Sequence, residues 1–286
     1  MRLARFGEAG SERPAAFDAN GVLRDVSGVV EDYDARFFAG DGLARVAAAL
    51  QDAAALPAVD PAAVRVGAPI ARPPKIVCIG LNYADHASEA GFTVPDEPMI
   101  FLKAPNSLVG PYDDVRIPRG GERVDWEVEL AVVIGREARY LPDEAAALDV
   151  IAGYAVVDDL SERAFQLERG GEWTKGKSCE TFNPLGPWLV TPDEVADPQA
   201  LDMWLTVNGE EMQRSSTSNM VFGVAHLVWY LSQFMVLEPG DLIDTGTPGG
   251  VGNLQKPPRF LSAGDVIELG VGELGAQRST VVAADG

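Results

Sequence analysis

Two cysteines in 286 residues, Cys78 and Cys179, are too few for a disulfide framework, so a reduced interior is expected. Histidine is equally scarce, and a metal site built on clustered imidazoles or thiolates is excluded. Positive charge is short as well: 23 Lys+Arg stand against 43 Asp+Glu, a formal net charge of −20. That field repels phosphate backbones and anionic lipid, and no basic run offsets it, so neither nucleic acid nor a membrane surface is expected as a partner. No apolar run reaches the ~18–20 residues of a membrane span. The nearest, 220–237, contains His226, Ser232 and Gln233 and reads as a buried helix. Residues 1–7 lead into Glu8, Glu12 and Arg13, where a secretory signal would be apolar. A cytoplasmic protein is expected, and 47% hydrophobic residues in a chain of this length supply a substantial core.

The acid excess poses a question. A strongly negative protein repels small anions unless a bound cation or a local cluster of positive groups reverses the field. Most of its carboxylates are solvated surface. The informative ones are those set among apolar residues.

The prolines of 69–74 cannot sit in a helix, and a boundary is drawn there between a small N-terminal unit, 1–72, and a main unit, 73–286. In the first unit Asn20-Gly21 between apolar residues signals a hairpin, and an Ala-rich helix is expected over 42–55. In the second, strands are expected over 75–80, 99–103, 124–134, 151–159, 188–191, 203–207, 241–245 and 266–269, and helices over 83–90, 143–148, 161–169 and 218–234. Strands in this proportion, separated by Gly/Pro turns, give a mostly-β α+β fold in place of a doubly wound sheet.

Over 124–134 the side chains alternate: Trp126, Val128, Leu130, Val132 and Ile134 on one face, Asp125, Glu127 and Glu129 on the other. Carboxylates two apart on a strand point the same way. Glu127 and Glu129 therefore form either an exposed acidic face or two ligands of one cation. The run into Val132-Val133-Ile134 favours an interior location, where unpaired carboxylates are too costly. A second apolar strand ends in Asp158-Asp159, and three carboxylates from two strands would suit Mg²⁺, Mn²⁺ or Ca²⁺. His86 and Glu89, three apart on a short polar helix, are either a surface pair or an imidazole oriented as a general base. His226 reads as a core or interface histidine. Lys175 and Lys177 bracket Gly176, each a solvated lysine or a stabiliser of an anion near a metal. The loop 246–252 is either an anion cradle or a tight turn; it lacks the Lys-Ser/Thr of a P-loop. Gly270 to Gly275 matches a dinucleotide fingerprint by letter, but too little chain follows for a βαβ unit. Cys179 has no histidine near it in sequence to make it a nucleophile.

Taken in order, Gly80-Leu81-Asn82-Tyr83 with His86 and Glu89, Phe101-Leu102-Lys103-Ala104-Pro105, the Glu127/Glu129 strand, Asp159-Leu160-Ser161-Glu162-Arg163 with Gln166, Lys177-Ser178, Pro184-Leu185-Gly186-Pro187-Trp188, and Pro239-Gly240-Asp241 running into Thr245-Gly246-Thr247-Pro248 resemble the fumarylacetoacetate hydrolase family over 74–282. The resemblance implies a mixed, mostly-β roll behind a small N-terminal domain, in a homodimer. It implies Glu127, Glu129 and Asp159 as ligands of Mg²⁺ or Mn²⁺, His86 with Glu89 as the water-activating dyad, Lys177 as a further catalytic group, and Gln166 and Thr247 as substrate contacts. Asp158 stands where the family commonly has Asn, which leaves two adjacent acids for one ligand position. The activity implied is hydrolysis of a C–C bond in a small anionic 2,4-diketo acid, giving pyruvate and a second acid. Residues 1–7 and 24–30 further resemble the branch acting on 2,4-diketo-3-deoxy-L-rhamnonate or -fuconate, whose second product is lactate. Oxaloacetate decarboxylation and 2-oxo acid tautomerisation need almost the same residues. A non-catalytic cation-binding protein is the alternative from another class.

Overall fold

The computed structural model describes residues 1–284 apart from 86–88, 90 and 92–94. Its centre is a 12-stranded mixed sheet whose main path runs Ala58–Val59, Leu23–Asp25, Arg13–Phe17, Arg2–Phe6, Asn183–Val190, Ile151–Asp158, Val128–Ile134, Leu242–Asp244, Ile76–Gly80, Met99–Lys103. A five-stranded sheet, ordered Glu210–Ser216, Asp202–Val207, Val266–Val271, Ala276–Val282, Val115–Arg116, shares a core with it. The fold is α+β and mostly β, as the strand-rich pattern implied.

The central strands explain themselves by burial. Val128, Leu130 and Val132 join Leu205 and Leu269 of the smaller sheet in one apolar cluster, while Ala131 and Val133 join Leu3, Tyr33 and Phe37 in another. A strand covered on both faces reads as a near-continuous apolar run, so any charge within it needs a partner. Across 68–75 the chain has no helix or strand, yet the sheet continues past it: Arg2 and Leu3 lie opposite Val190 and Leu189. Residues before 72 thus extend the main sheet at one edge. The hairpin at Asn20-Gly21 forms between Arg13–Phe17 and Leu23–Asp25, with Gly21 at φ 75° and Asp18 accepting the N–H groups of Asn20 and Val22.

Helices are shorter than the sequence suggests. The stretch 42–55 is helical only over Gly42–Ala49 before tightening into a 3₁₀ segment, Leu50–Ala55. The stretch 218–234 keeps Val224–Ser232, and 161–169 keeps Arg163–Leu167 because Ser161–Glu162 pairs as a strand. The strand expected over 188–191 begins at Asn183. Glu210–Ser216 and Ala276–Val282, polar strands of the smaller sheet, carry too little apolar alternation to be legible. Among the described residues no helix is long and apolar enough to cross a membrane.

Candidate active site

The single strand expected over 124–134 is broken. Val124–Asp125 pairs with Ser161–Glu162 in a separate two-stranded ladder, and the long strand starts at Val128. In the gap, side chains replace strand neighbours as acceptors. Asp125 takes the Trp126 N–H and Asp158 the Glu127 N–H, each at 2.9 Å. Glu127 and Glu129 still converge. With Asp159, whose N–H donates to the Glu127 carbonyl at 2.9 Å, they place one oxygen each within 4.8 Å of one another, all buried. The two adjacent acids are thereby sorted. Asp159 joins the carboxylate cluster, whereas Asp158 caps backbone.

Cations surround the cluster on one side. Lys177, 1% exposed, donates to Glu127 Oε2 (2.7 Å), Asp159 Oδ2 (2.6 Å) and the Asp159 carbonyl (3.1 Å). Arg163 reaches Asp125 Oδ2 (2.8 Å), Glu127 Oε1 (2.6 Å) and Gln166 Oε1 (3.0 Å). Lys103 binds Asp159 Oδ1 (2.5 Å) and the Phe182 carbonyl (2.6 Å). It stands by a second buried group, Cys78, Asp159 and Asp244, in which Asp244 Oδ1 has no hydrogen-bond partner among the described residues. Lys103 and Arg163 drew no role from the sequence. The available signal was two basic side chains in an acid-rich chain, one inside each of the motifs 101–105 and 159–163.

Acidic groups outnumber basic ones. Asp125, Glu127, Glu129, Asp158, Asp159 and Asp244 are buried against Lys103, Arg163 and Lys177. Burial, then the neighbouring Asp159 and Glu127, pushes Glu129 well above the usual carboxylate range, and no lysine or arginine among the described residues pairs with it. Burial likewise raises Asp158 and Asp244 to about 7. For Lys177, burial opposes the ammonium, but Asp159 and Glu127 outweigh it and hold the group above its ordinary value. Three convergent carboxylates, in a cluster with more acids than bases, make a hard oxygen donor set that fits a divalent cation such as Mg²⁺ or Mn²⁺.

Two of the three carboxylates, Glu127 and Glu129, line a cavity together with Arg163, Gln166, Lys177 and Thr247. The amide nitrogen of Gln166 has no partner among the described residues and is left to donate into that space. Thr247 donates its hydroxyl to the Val128 carbonyl (3.0 Å) and accepts from Gln213 (2.8 Å), so as arranged here it has only a lone pair to offer a substrate. The loop 246–253 does cradle anions, and they are the protein's own. Gly246 N–H binds Glu129 (2.7 Å), Gly250 N–H binds Glu89 (2.8 Å), and the N–H groups of Gly252 and Asn253 bind Asp125 (2.7 and 3.0 Å). Here Gly246 sits at φ 101°, and an added Cβ would lie 2.8 Å from Asn82. Glu89 is exposed at the end of that loop contact; His86, expected beside it, lies outside the described residues. His226 stacks on Phe222 and Tyr230 and pairs with Glu144 (2.9 Å), apart from the cavity. Lys175 is exposed, and burial lifts the Cys179 thiol to about 11, the wrong direction for a nucleophile.

Comparison with known proteins agrees with this geometry. The fumarylacetoacetate (FAA) hydrolase C-terminal family model matches residues 75–282. A Burkholderia ambifaria protein, named provisionally as a hydrolase, is 53% identical over 278 residues, 97% of each chain. Among solved structures, maleylpyruvate hydrolase from Sphingobium sp. SYK-6, in complex with manganese (II) ion and pyruvate, superposes with a TM-score of 0.83 at 30% identity over 100% of both chains. The 5-carboxymethyl-2-hydroxymuconate delta-isomerase of Mycobacterium smegmatis does so at 0.78 and 32%, again over 100% of both. The chain belongs to the fumarylacetoacetate hydrolase family.

Proposed function

We propose that the protein is a metal-dependent hydrolase of acylpyruvates, 2,4-diketo acids that it cleaves between C3 and C4. The observation that carries this reading is the buried triad Glu127, Glu129 and Asp159, of which Glu127 and Glu129 line a cavity beside Lys177 and Gln166. The net reaction adds water across the C3–C4 bond: the 4-carbonyl carbon gains the hydroxyl and leaves as a carboxylate. The bonding pair stays on C3 as pyruvate enolate, which then takes a proton. A divalent cation held by the three carboxylates would supply Lewis-acid polarisation of the 2-oxo acid head and charge balance for the enolate.

The remaining work falls to the chain's own groups. Lys177 is pinned by three acceptors, so its positive charge is fixed at the cavity wall before negative charge develops there, with no reorganisation to spend. Gln166, oriented through its carbonyl by Arg163, presents its amide nitrogen as a donor to a substrate oxygen. Glu89, anchored by Gly250, would orient and raise the basicity of His86, the group assigned to take a proton from water.

The finer proposal is a 2,4-diketo-3-deoxy-L-rhamnonate or -fuconate substrate, with lactate as second product. It rests on the N-terminal segments. Arg5 of that region pairs with Asp32 and lines a cleft other than the carboxylate cavity, so any choice of tail falls to the cavity walls.

Purified protein supplied with Mn²⁺ or Mg²⁺ should release pyruvate from acetylpyruvate and from lactoylpyruvate, and a chelator should stop it. No pyruvate from any acylpyruvate would overturn the reading. The Mycobacterium smegmatis match favours one alternative, isomerisation of a 2-oxo acid. Its signature would be a change in ultraviolet absorbance without pyruvate release.

A further inference from the structure

The cavity lining carries two kinds of residue: Glu127, Glu129, Lys177, Arg163 and Gln166 are polar, while Ile79, Leu81, Phe101 and Trp173 are apolar, with the Phe101 and Trp173 rings in contact. Resting on the acylpyruvate reading, we propose that the Phe101–Trp173 wall selects an acyl tail that is short, uncharged and apolar at its end, and rejects tails bearing a second carboxylate.

The wall is built from the same turn as the ammonium. Trp173 caps the short helix Thr174–Lys177, and its carbonyl accepts the N–H groups of Gly176 (3.0 Å) and Lys177 (3.2 Å). Head and tail recognition are therefore set one helical turn apart. Phe101 bridges them: its ring lies 5.3 Å from that of Trp173, edge to face, and 5.2 Å from Lys177 Nζ.

The wall also cannot recede easily. A Cβ on Gly80 would lie 2.7 Å from the Trp173 ring, so backbone is already packed against the indole. Leu81 is held at φ 55°, a left-handed conformation unfavourable for a residue with a side chain. Asn82 pins it by donating to the carbonyls of Thr245 (2.8 Å) and Phe222 (3.0 Å) and accepting the Phe222 N–H (2.9 Å).

Among the described residues, no lysine or arginine on the lining stands free of a carboxylate to meet a tail carboxylate. Among the described residues the basic groups on the lining are Arg163 and Lys177. Lys177 spends its three N–H bonds on Glu127 and Asp159, and Arg163 is held by Asp125, Glu127 and Gln166. A second carboxylate would be desolvated against two aromatic rings with no partner, inside a protein of net charge −20. An alkyl end gains burial there. A tail of one hydroxyl and one methyl, as in lactoylpyruvate, is short and uncharged and meets both conditions.

The test pairs substrates of similar length, with Mn²⁺ present. Butanoylpyruvate should exceed succinylpyruvate in kcat/KM by at least about tenfold. Trp173→Lys should shrink that ratio to near one, and Gly80→Ala, which pushes on the indole, should lower kcat/KM for butanoylpyruvate more than for acetylpyruvate. Calorimetry with 2-oxohexanoate and 2-oxoadipate reads the tail preference without turnover, and the former should bind the tighter. Succinylpyruvate turned over as well as butanoylpyruvate, or 2-oxoadipate bound as tightly as 2-oxohexanoate, overturns the tail assignment while leaving the hydrolase reading intact. Tighter 2-oxohexanoate binding with no pyruvate from any acylpyruvate supports the tail assignment and overturns the hydrolase reading.

Discussion

Near the N-terminal strands, Arg5 forks onto Asp32 (2.7 and 2.9 Å) and reaches Glu12 (3.4 Å), while Arg65 forks onto Asp113 (2.8 and 2.6 Å) and binds Glu12 at 2.9 Å. Each acid there has an arginine, and the network ties the first strand to the segments around 65 and 113. Around the carboxylate cluster the same kinds of residue are left without full pairing. Among the described residues, Glu129 has no cation in contact and Asp244 Oδ1 has no partner, and burial keeps Asp158 and Asp244 near 7. A closed charge network stabilises a fold. An open one, kept at the end of two buried strands, is a place for something to bind.

The sharpest way to break that contrast is at the triad. Glu129→Gln should weaken Mn²⁺ binding, measured by calorimetry, by at least about a hundredfold, since even groups that only support ligands cost ten- to a hundredfold. Retained affinity would remove the distinction between the two clusters. Next in size are the paired cations. Lys103→Met should cost about 3 kcal/mol in urea unfolding by taking one cation from the buried Asp159, and Arg5→Met should cost less, because Asp32 is partly exposed and Glu12 keeps Arg65. Only Lys103→Met should also change Mn²⁺ affinity, because it touches Asp159.

A smaller effect comes from pH. Asp158 and Asp244 hold protons up to about 7 when folded, against 3.8 as the ordinary value. The stability this lends is present below the ordinary value, declines as pH rises, and is gone above about 7. Cation binding should offset that loss, so the rise in Tm on adding Mn²⁺ should be larger at pH 8 than at pH 5.5. An equal rise would argue against proton–metal competition in the cluster. The smallest effect is expected from Asp158→Asn, which keeps an acceptor for the Glu127 N–H and deletes one buried charge. Mn²⁺ affinity should stay within about threefold, and stability at pH 8 should rise by about 1 kcal/mol. A loss of affinity like that of Glu129→Gln would return Asp158 to the ligand set.

Much of this protein was legible before folding was considered. The alternation over 124–134 put Glu127 and Glu129 on one face, the apolar run beyond them marked the strand as interior, and Asp158-Asp159 ended a second buried strand. Local rules suffice for such features, because side-chain direction along a strand has period two and a buried charge is costly anywhere. The hairpin at Asn20-Gly21 was equally local. Tertiary structure alone decided the rest. It broke the expected strand at Trp126 and Glu127, where Asp125 and Asp158 replace strand neighbours. It turned Asp159 and not Asp158 into the cluster, spent the glycine loop's N–H groups on Glu129, Glu89 and Asp125, and brought Lys103, distant in sequence, onto Asp159. Which acid meets which base across 56 residues of separation depends on strand order and register, and no local pattern of residues encodes those.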